Sequence, residues 1–79
     1  MAIRIRLFAS LAEKIGSKEL EIEATQGMTL IDAWDVVSDG MPMPGELLMA
    51  VNMDYSDSET IVYDGDEVAF FPPISGGSR

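Results

Sequence analysis

Only one stretch of this chain keeps a helical period. In "TLIDAWDVV", Leu30, Ala33, Trp34 and Val37 recur at i, i+3, i+4 and i+7 and make one apolar face. Thr29 is placed as the N-cap, Asp32 and Asp35 bring negative charge near the helix start, and Gly40 is placed to stop it. A single amphipathic helix cannot bury its own apolar stripe, so a second layer must cover it.

The rest of the chain supplies strands for that layer. "AIRIRLF" alternates, with Ile3, Ile5 and Leu7 on one parity and Arg4, Arg6 and Phe8 on the other. "SLAEKIG" reads as a short helix, with Ser10 and Glu13 as a capping box and Gly16 at its end. "KELEIEA" alternates again, Leu20, Ile22 and Ala24 inward and Glu19, Glu21 and Glu23 outward, so the first two strands read as an antiparallel pair. Gln26-Gly27 breaks the pattern before the main helix. After it come a rigid proline loop "MPMPG", an apolar strand "LLMAVNM", a turn-like "DYSDS", a short edge strand "ETIVY", an Asp64-Gly65 turn and a last strand "EVAFF". The predicted order is β, β, α, β, β, β with a short helix in the first connection. If the first and last strands lie side by side, strand 2–8 parallel to strand 67–71, the result is an α+β β-grasp, or ubiquitin-like, fold. It would have a mixed sheet of four to five strands on one main helix; the alternative is another small α+β roll.

Composition closes off several kinds of chemistry. At 79 residues, 47% of them apolar, the chain supports one folded domain with a modest core. The sequence contains no Cys and no His, which removes thiolate and imidazole metal ligands, the cysteine nucleophile and the commonest general base. A formal charge of −9 repels nucleic acid and anionic membranes and suits high solubility or a basic protein partner. No apolar run approaches the ~20 residues of a membrane span, and the N-terminus lacks a signal-peptide core. The expected location is the cytoplasm. Asp64, Asp66 and Glu67 read as a solvated turn, not a metal site. Trp34 reads as core and most methionines as gap-fillers, with Met41 and Met43 partly exposed in the proline loop.

Parity singles out two aromatics. Phe8 shares its face with Arg4 and Arg6, and Phe71 shares its face with Glu67, while Val68 and Phe70 take the inward side. Were both strands central neighbours, two rings would lie on the outer face of the sheet, with Tyr55 able to extend the patch. The other reading is that one or both rings fold back onto the rim of the core.

The ending "YDGDEVAFFPPISGG", with "LLMAVNM" upstream and "IRLFASLAEKIG" at the front, resembles the small subunit of molybdopterin synthase, the MoaD-type sulfur carriers of the MoaD/ThiS ubiquitin-like family. The resemblance covers essentially the whole chain. It implies a β-grasp domain over 1–71 and a flexible tail over 72–79. It further implies that an E1-like adenylyltransferase, using ATP and Mg, activates the terminal glycine carboxylate, and that a sulfur donor protein converts it to a thiocarboxylate. The carrier then inserts its tail into the large synthase subunit, in a 2:2 complex, where the sulfur builds the dithiolene of molybdopterin. Carried onto this sequence, the sulfur sits on Gly77, with Gly76 before it, and the docking face comprises Phe8, Tyr55, Phe71, Pro72 and Pro73. No cofactor or metal is expected on this chain.

The tail residues suit that chemistry. Glycine has no Cβ and accepts almost any backbone angle, so Gly76 and Gly77 can thread a narrow site. From Pro73 to Gly77 an extended chain reaches roughly 14–18 Å. Pro72 and Pro73 lack an N–H, which stiffens the base of the tail and ends strand pairing. Ser78 and Arg79 depart from the family pattern, because Gly77 then carries a peptide bond in place of a free carboxylate. They are either a cloning scar or an extension removed by a protease. Two classes of function follow: a sulfur-carrier subunit with no complete active site of its own, for molybdopterin or for another pathway such as thiamine or tRNA thiolation, and a ubiquitin-like protein modifier. The Phe-Phe-Pro-Pro element favours the molybdopterin carrier.

Overall fold

The computed structural model describes residues 2–41 and 47–72. Most of the proline loop, including Met43, and the tail residues Pro73, Gly76, Gly77, Ser78 and Arg79 lie outside the described residues. The elements in chain order are β1 (Ala2–Leu7), α1 (Ser10–Ile15), β2 (Glu19–Glu23), α2 (Leu30–Ser38), β3 (Leu48–Val51), β4 (Asp54–Ser56) and β5 (Glu67–Phe71). The strands form one mixed sheet in the order β2-β1-β5-β3-β4. This is the β-grasp architecture.

The sheet is organised by its two central strands. β1 and β5 run parallel, with Arg4 opposite Glu67 and Leu7 opposite Phe70, and every other pairing is antiparallel. A parallel pair cannot be closed by a tight turn and needs a crossover connection. Here the crossover includes α2, whose apolar stripe lands on the inner face of the sheet. Ile3, Ile5, Leu7, Val68 and Phe70 from the strands and Leu30, Ala33, Trp34 and Val37 from the helix form one buried cluster. The Trp34 and Phe70 rings meet edge to face at 5.3 Å, a favoured aromatic geometry. Trp34 Nε1–H donates to the Met41 carbonyl at 3.0 Å, so the indole enters the core without an orphaned donor.

Helix termini follow the sequence reading at one helix and depart from it at the other. At α2, Thr29 Oγ1 accepts from the Asp32 N–H at 3.3 Å and Asp32 Oδ2 accepts from the Thr29 N–H at 3.1 Å, a reciprocal capping box. The helix ends on Asp39 in the left-handed region (φ 58°), one residue before Gly40, and Asp35 lies beyond the first turn. At α1 the expected Ser10–Glu13 box does not form. Ala9 holds the N-cap position at φ 52°, ψ −129°, without a side-chain hydrogen bond, and Ser10 is already the first helical residue. The immediate turn out of β1 sets this start, with the Leu11 N–H donating to the Phe8 carbonyl at 3.1 Å. Gly16 ends α1 at φ 96°, as expected.

The fourth strand also differs from expectation. It is built from Asp54–Ser56, inside the segment read as a turn, and not from "ETIVY". A two-residue turn at Asn52-Met53 returns the chain directly along β3, pairing Val51 with Asp54 and Ala50 with Tyr55. "ETIVY" instead lies beside the entry to α2. Ile61 bridges Thr29, the Val62 N–H donates to the Met28 carbonyl at 2.8 Å, and Val62 is buried. Asp64-Gly65 does form a turn, closed by the Asp66 N–H on the Tyr63 carbonyl at 3.0 Å, with Gly65 at φ 89°. That turn leads into β5 without joining paired strands. Asp66 is used structurally, its two carboxylate oxygens accepting from the Tyr63 N–H and the Asn52 side-chain amide.

The two caps give opposite expectations from similar sequence. Thr29→Ala should destabilise the fold by about 1 kcal/mol, the usual worth of an N-cap. Ser10→Ala should change it by less than about 0.5 kcal/mol, as for a surface site without a special role. Urea denaturation of both variants checks this ranking; equal losses would place a working cap at Ser10.

Candidate functional site

The outer face of the sheet carries the candidate site. The parallel register aligns Leu7 with Phe70, and the residues that follow them, Phe8 just past the end of β1 and Phe71 at the end of β5, meet on the opposite face. Their rings stack with centroids 4.6 Å apart and planes 9° apart. Tyr55 on β4 reaches the same group, its ring 6.2 Å from Phe71, and is 74% exposed. The reading that these rings fold back onto the core rim therefore does not hold. Phe8 and Phe71 are half-buried against each other on the outer face, and Pro72 follows, half-buried.

Between these rings lies a shallow hollow of about 270 Å³. Ala50 and Ala69, paired across β3 and β5, lie between the rings and leave room for it. Arg6, Glu67 and Met53 complete the rim. The Arg6 guanidinium sits 5.6 Å from the Phe8 ring centroid and pairs with Glu67 at 3.5 Å. The exposed ion pair contributes little to stability, but it holds a charged edge along an apolar floor. A patch of aromatics with a polar rim is the anatomy of a protein-binding surface.

Of the sequence-predicted site residues, Phe8, Tyr55 and Phe71 come together here, and Pro72 follows Phe71 in the chain. Pro73, Gly76 and Gly77 lie outside the described residues. β5 ends at Phe71, so whatever follows Pro72 starts beside the aromatic stack. Sequence reasoning missed Ala50, Ala69 and Met53. The two alanines carry the outward parity of Phe71 and Leu48 and were legible by the same alternation. Met53 was not, because its place depends on the tight Asn52-Met53 turn.

Residues 5–77 match the model of the ThiS family. The chain belongs to the ThiS family. This member is 34% identical over 84 residues to the molybdopterin synthase sulfur carrier subunit of Escherichia coli K12, in an alignment covering 95% of this chain and 99% of that protein. Its structure is similar to the crystal structure of SAMP1 from Haloferax volcanii, with a TM-score of 0.83, 26% identity, and 98% and 100% of the two chains covered. It is also similar to a chain in the complex of subunits 1 and 2 of the molybdopterin-converting factor from Helicobacter pylori, with a TM-score of 0.66, 25% identity, and 98% and 100% coverage. Among the described residues no helix is long and apolar enough to cross a membrane.

For this ThiS-family chain, adjacent phenylalanines on one strand should respond in opposite ways to a charge. Phe70 is fully buried against Trp34, so Phe70→Asp places a carboxylate in the core and should abolish cooperative folding or cost more than about 4 kcal/mol. Phe71→Asp loses the Phe8 stack, worth about 0.5–1.5 kcal/mol, but its charge meets water. Thermal melts of the two variants check the ranking; the reverse order would mean the β5 register is off by one residue.

Proposed function

We propose that this chain is the sulfur-carrier small subunit of molybdopterin synthase, acting through a thiocarboxylate on Gly77. The observation that carries this reading is the joining of an exposed aromatic surface, Phe8, Phe71 and Tyr55, to the strand end from which a Gly76-Gly77 tail departs. Membership of the ThiS family and the likeness to the Escherichia coli carrier support it. A docking face at the root of a thin tail lets a partner grip the domain while the tail reaches inside its active site.

The chemistry balances with co-reactants supplied by partners. In an E1-like adenylyltransferase, a free Gly77 carboxylate oxygen attacks the α-phosphorus of ATP and pyrophosphate leaves. A donor at the sulfide oxidation level then attacks the acyl carbon, AMP departs with the C–O electron pair, and a thiocarboxylate remains. The tail next enters the large subunit, where the sulfur attacks a carbon of the pterin precursor and displaces an oxygen leaving group with its C–O electron pair. Water then cleaves the acyl–sulfur bond of the resulting thioester, which restores the Gly77 carboxylate and leaves the sulfur on the pterin as a thiolate. The Helicobacter pylori complex of the two converting-factor subunits supports a large-subunit partner of this kind; for this chain we propose a 2:2 assembly with it. A cytoplasmic location is part of the same proposal, since the activating enzyme would draw on ATP. This chain contributes the acyl group, the docking face and the reach of the tail.

The likeness to SAMP1 favours a second reading, in which Gly77 is joined to lysines of target proteins. Intact mass after incubation with ATP, the E1-like enzyme and sulfide separates the two. Thiocarboxylation exchanges oxygen for sulfur and adds about 16 Da; conjugation yields larger species on a gel.

In either reading a chain ending at Gly77 should support ATP–pyrophosphate exchange with its E1-like enzyme, and the chain ending Ser78-Arg79 should not. Only the shorter chain presents a carboxylate on Gly77. Equal exchange by both, with no trimmed species visible by mass spectrometry, would place the reactive carboxylate on Arg79. Phe71→Asp in the Gly77-terminated chain should in addition elute apart from the large subunit on gel filtration, because a docked carboxylate without a partner is desolvated at a cost of several kcal/mol.

A further inference from the structure

The β3–β4 turn breaks a local rule of sequence. Asn52 and Met53 form a two-residue hairpin turn with φ of 51° and 72°, both in the left-handed region. Such turns favour Asn-Gly, because the second position requires positive φ and a side chain there is disfavoured. Here that position holds methionine, and the residue is 91% exposed. An exposed apolar side chain in an unfavourable backbone conformation contributes nothing to folding that glycine would not supply better.

The conformation is held from the neighbouring residue. The Asn52 N–H donates to the Glu67 carbonyl at 2.7 Å, Asn52 Oδ1 accepts from the Glu67 N–H at 3.0 Å, and Asn52 Nδ2–H donates to Asp66 Oδ1 at 3.1 Å. Three hydrogen bonds thus clamp the turn to the start of β5. Met53 is thereby set at one end of the hollow whose other end is the Phe8–Phe71 stack, with Tyr55, Ala50 and Ala69 between them. Four residue steps along β5 separate the level of Glu67 from Phe71, about 13 Å of strand.

We propose that Met53 is a contact residue of the docking face, inserting into an apolar pocket of the large synthase subunit and extending the surface from the tail root to the far end of the hollow. The proposal rests on the molybdopterin synthase reading above. Its ground is the coincidence of three features at one residue: positive φ without glycine, near-complete exposure, and continuity with the aromatic patch. Backbone strain that is held in place by surrounding bonds is expected where a side chain serves binding. A flexible thioether also fits irregular partner pockets well.

The test uses the Gly77-terminated chain and the molybdopterin synthase large subunit of the same organism, with binding by calorimetry and stability by thermal melting. Met53→Gly should raise Tm by about 4–8 °C, the shift expected for relief of ~1 kcal/mol in a domain of this size. The same substitution should weaken binding about tenfold, and Met53→Leu, which keeps the apolar bulk, should bind within about threefold of the parent. Mild hydrogen peroxide should oxidise Met53 in the free chain and spare it in the complex. Gain of stability with loss of affinity is a combination that a merely structural residue would not give. Binding by Met53→Gly within twofold of the parent, or equal oxidation of Met53 free and bound, overturns the assignment of Met53 and leaves the carrier reading standing. Failure of the parent chain itself to bind the large subunit overturns both.

Discussion

The parallel pairing of β1 with β5 is the constraint on which the rest of this molecule depends. It joins the two ends of the described chain at the centre of the sheet, forces the connection between them to cross over, and so places α2 on one face. The same register decides both faces at once. With Leu7 opposite Phe70, the inward residues close on Trp34, and the residues that follow each of them stack as Phe8 on Phe71. A slip of one residue would bring Phe71 inward and turn Phe70 to solvent, losing the core and the patch together. Core and candidate interface are two readings of one set of backbone hydrogen bonds.

Charge and apolar surface are divided in a way that suits a carrier domain. The edge strand β2 shows Glu19, Glu21 and Glu23 to solvent, and charge on an edge discourages unplanned strand addition. Arg4 and Arg6 on the outer face are tied to Glu19 and Glu67, leaving the alanine floor and the aromatic rings as the uncharged part of that face. In a chain of formal charge −9 this apolar surface is bordered by polar groups, so the isolated domain can stay soluble while keeping a surface for a partner.

Several elements were legible because their determinants are local. The alternation of Ile3, Ile5 and Leu7, the helical spacing of Leu30, Ala33, Trp34 and Val37, and the Thr29 cap each need only a few neighbouring residues to act. Two expectations failed where local signals competed. Ser10 has the chemistry of a cap, but the turn out of β1 places Ala9 there and makes Ser10 helical. "ETIVY" has strand propensity, but the hairpin at Asn52-Met53 gives β3 a nearer partner in Asp54–Ser56, and the later segment pairs with the entry to α2 instead. Loop closure favours the nearer pairing, since a two-residue turn orders less chain than a longer one.

By itself the sequence determined which side chains share a face, where the main helix begins, and that no cysteine or histidine chemistry is available to it. These are properties of residue identity and spacing, and they hold whatever the chain packs against. Tertiary structure alone decided that Phe8 meets Phe71, that Tyr55 sits on a strand beside them, and that Met53 closes the far end of the same hollow. Such contacts depend on the register between strands far apart in the chain, and register is set by the buried face and the turns acting together. A period of two tells a residue which side it is on; only the folded sheet tells it who its neighbours are.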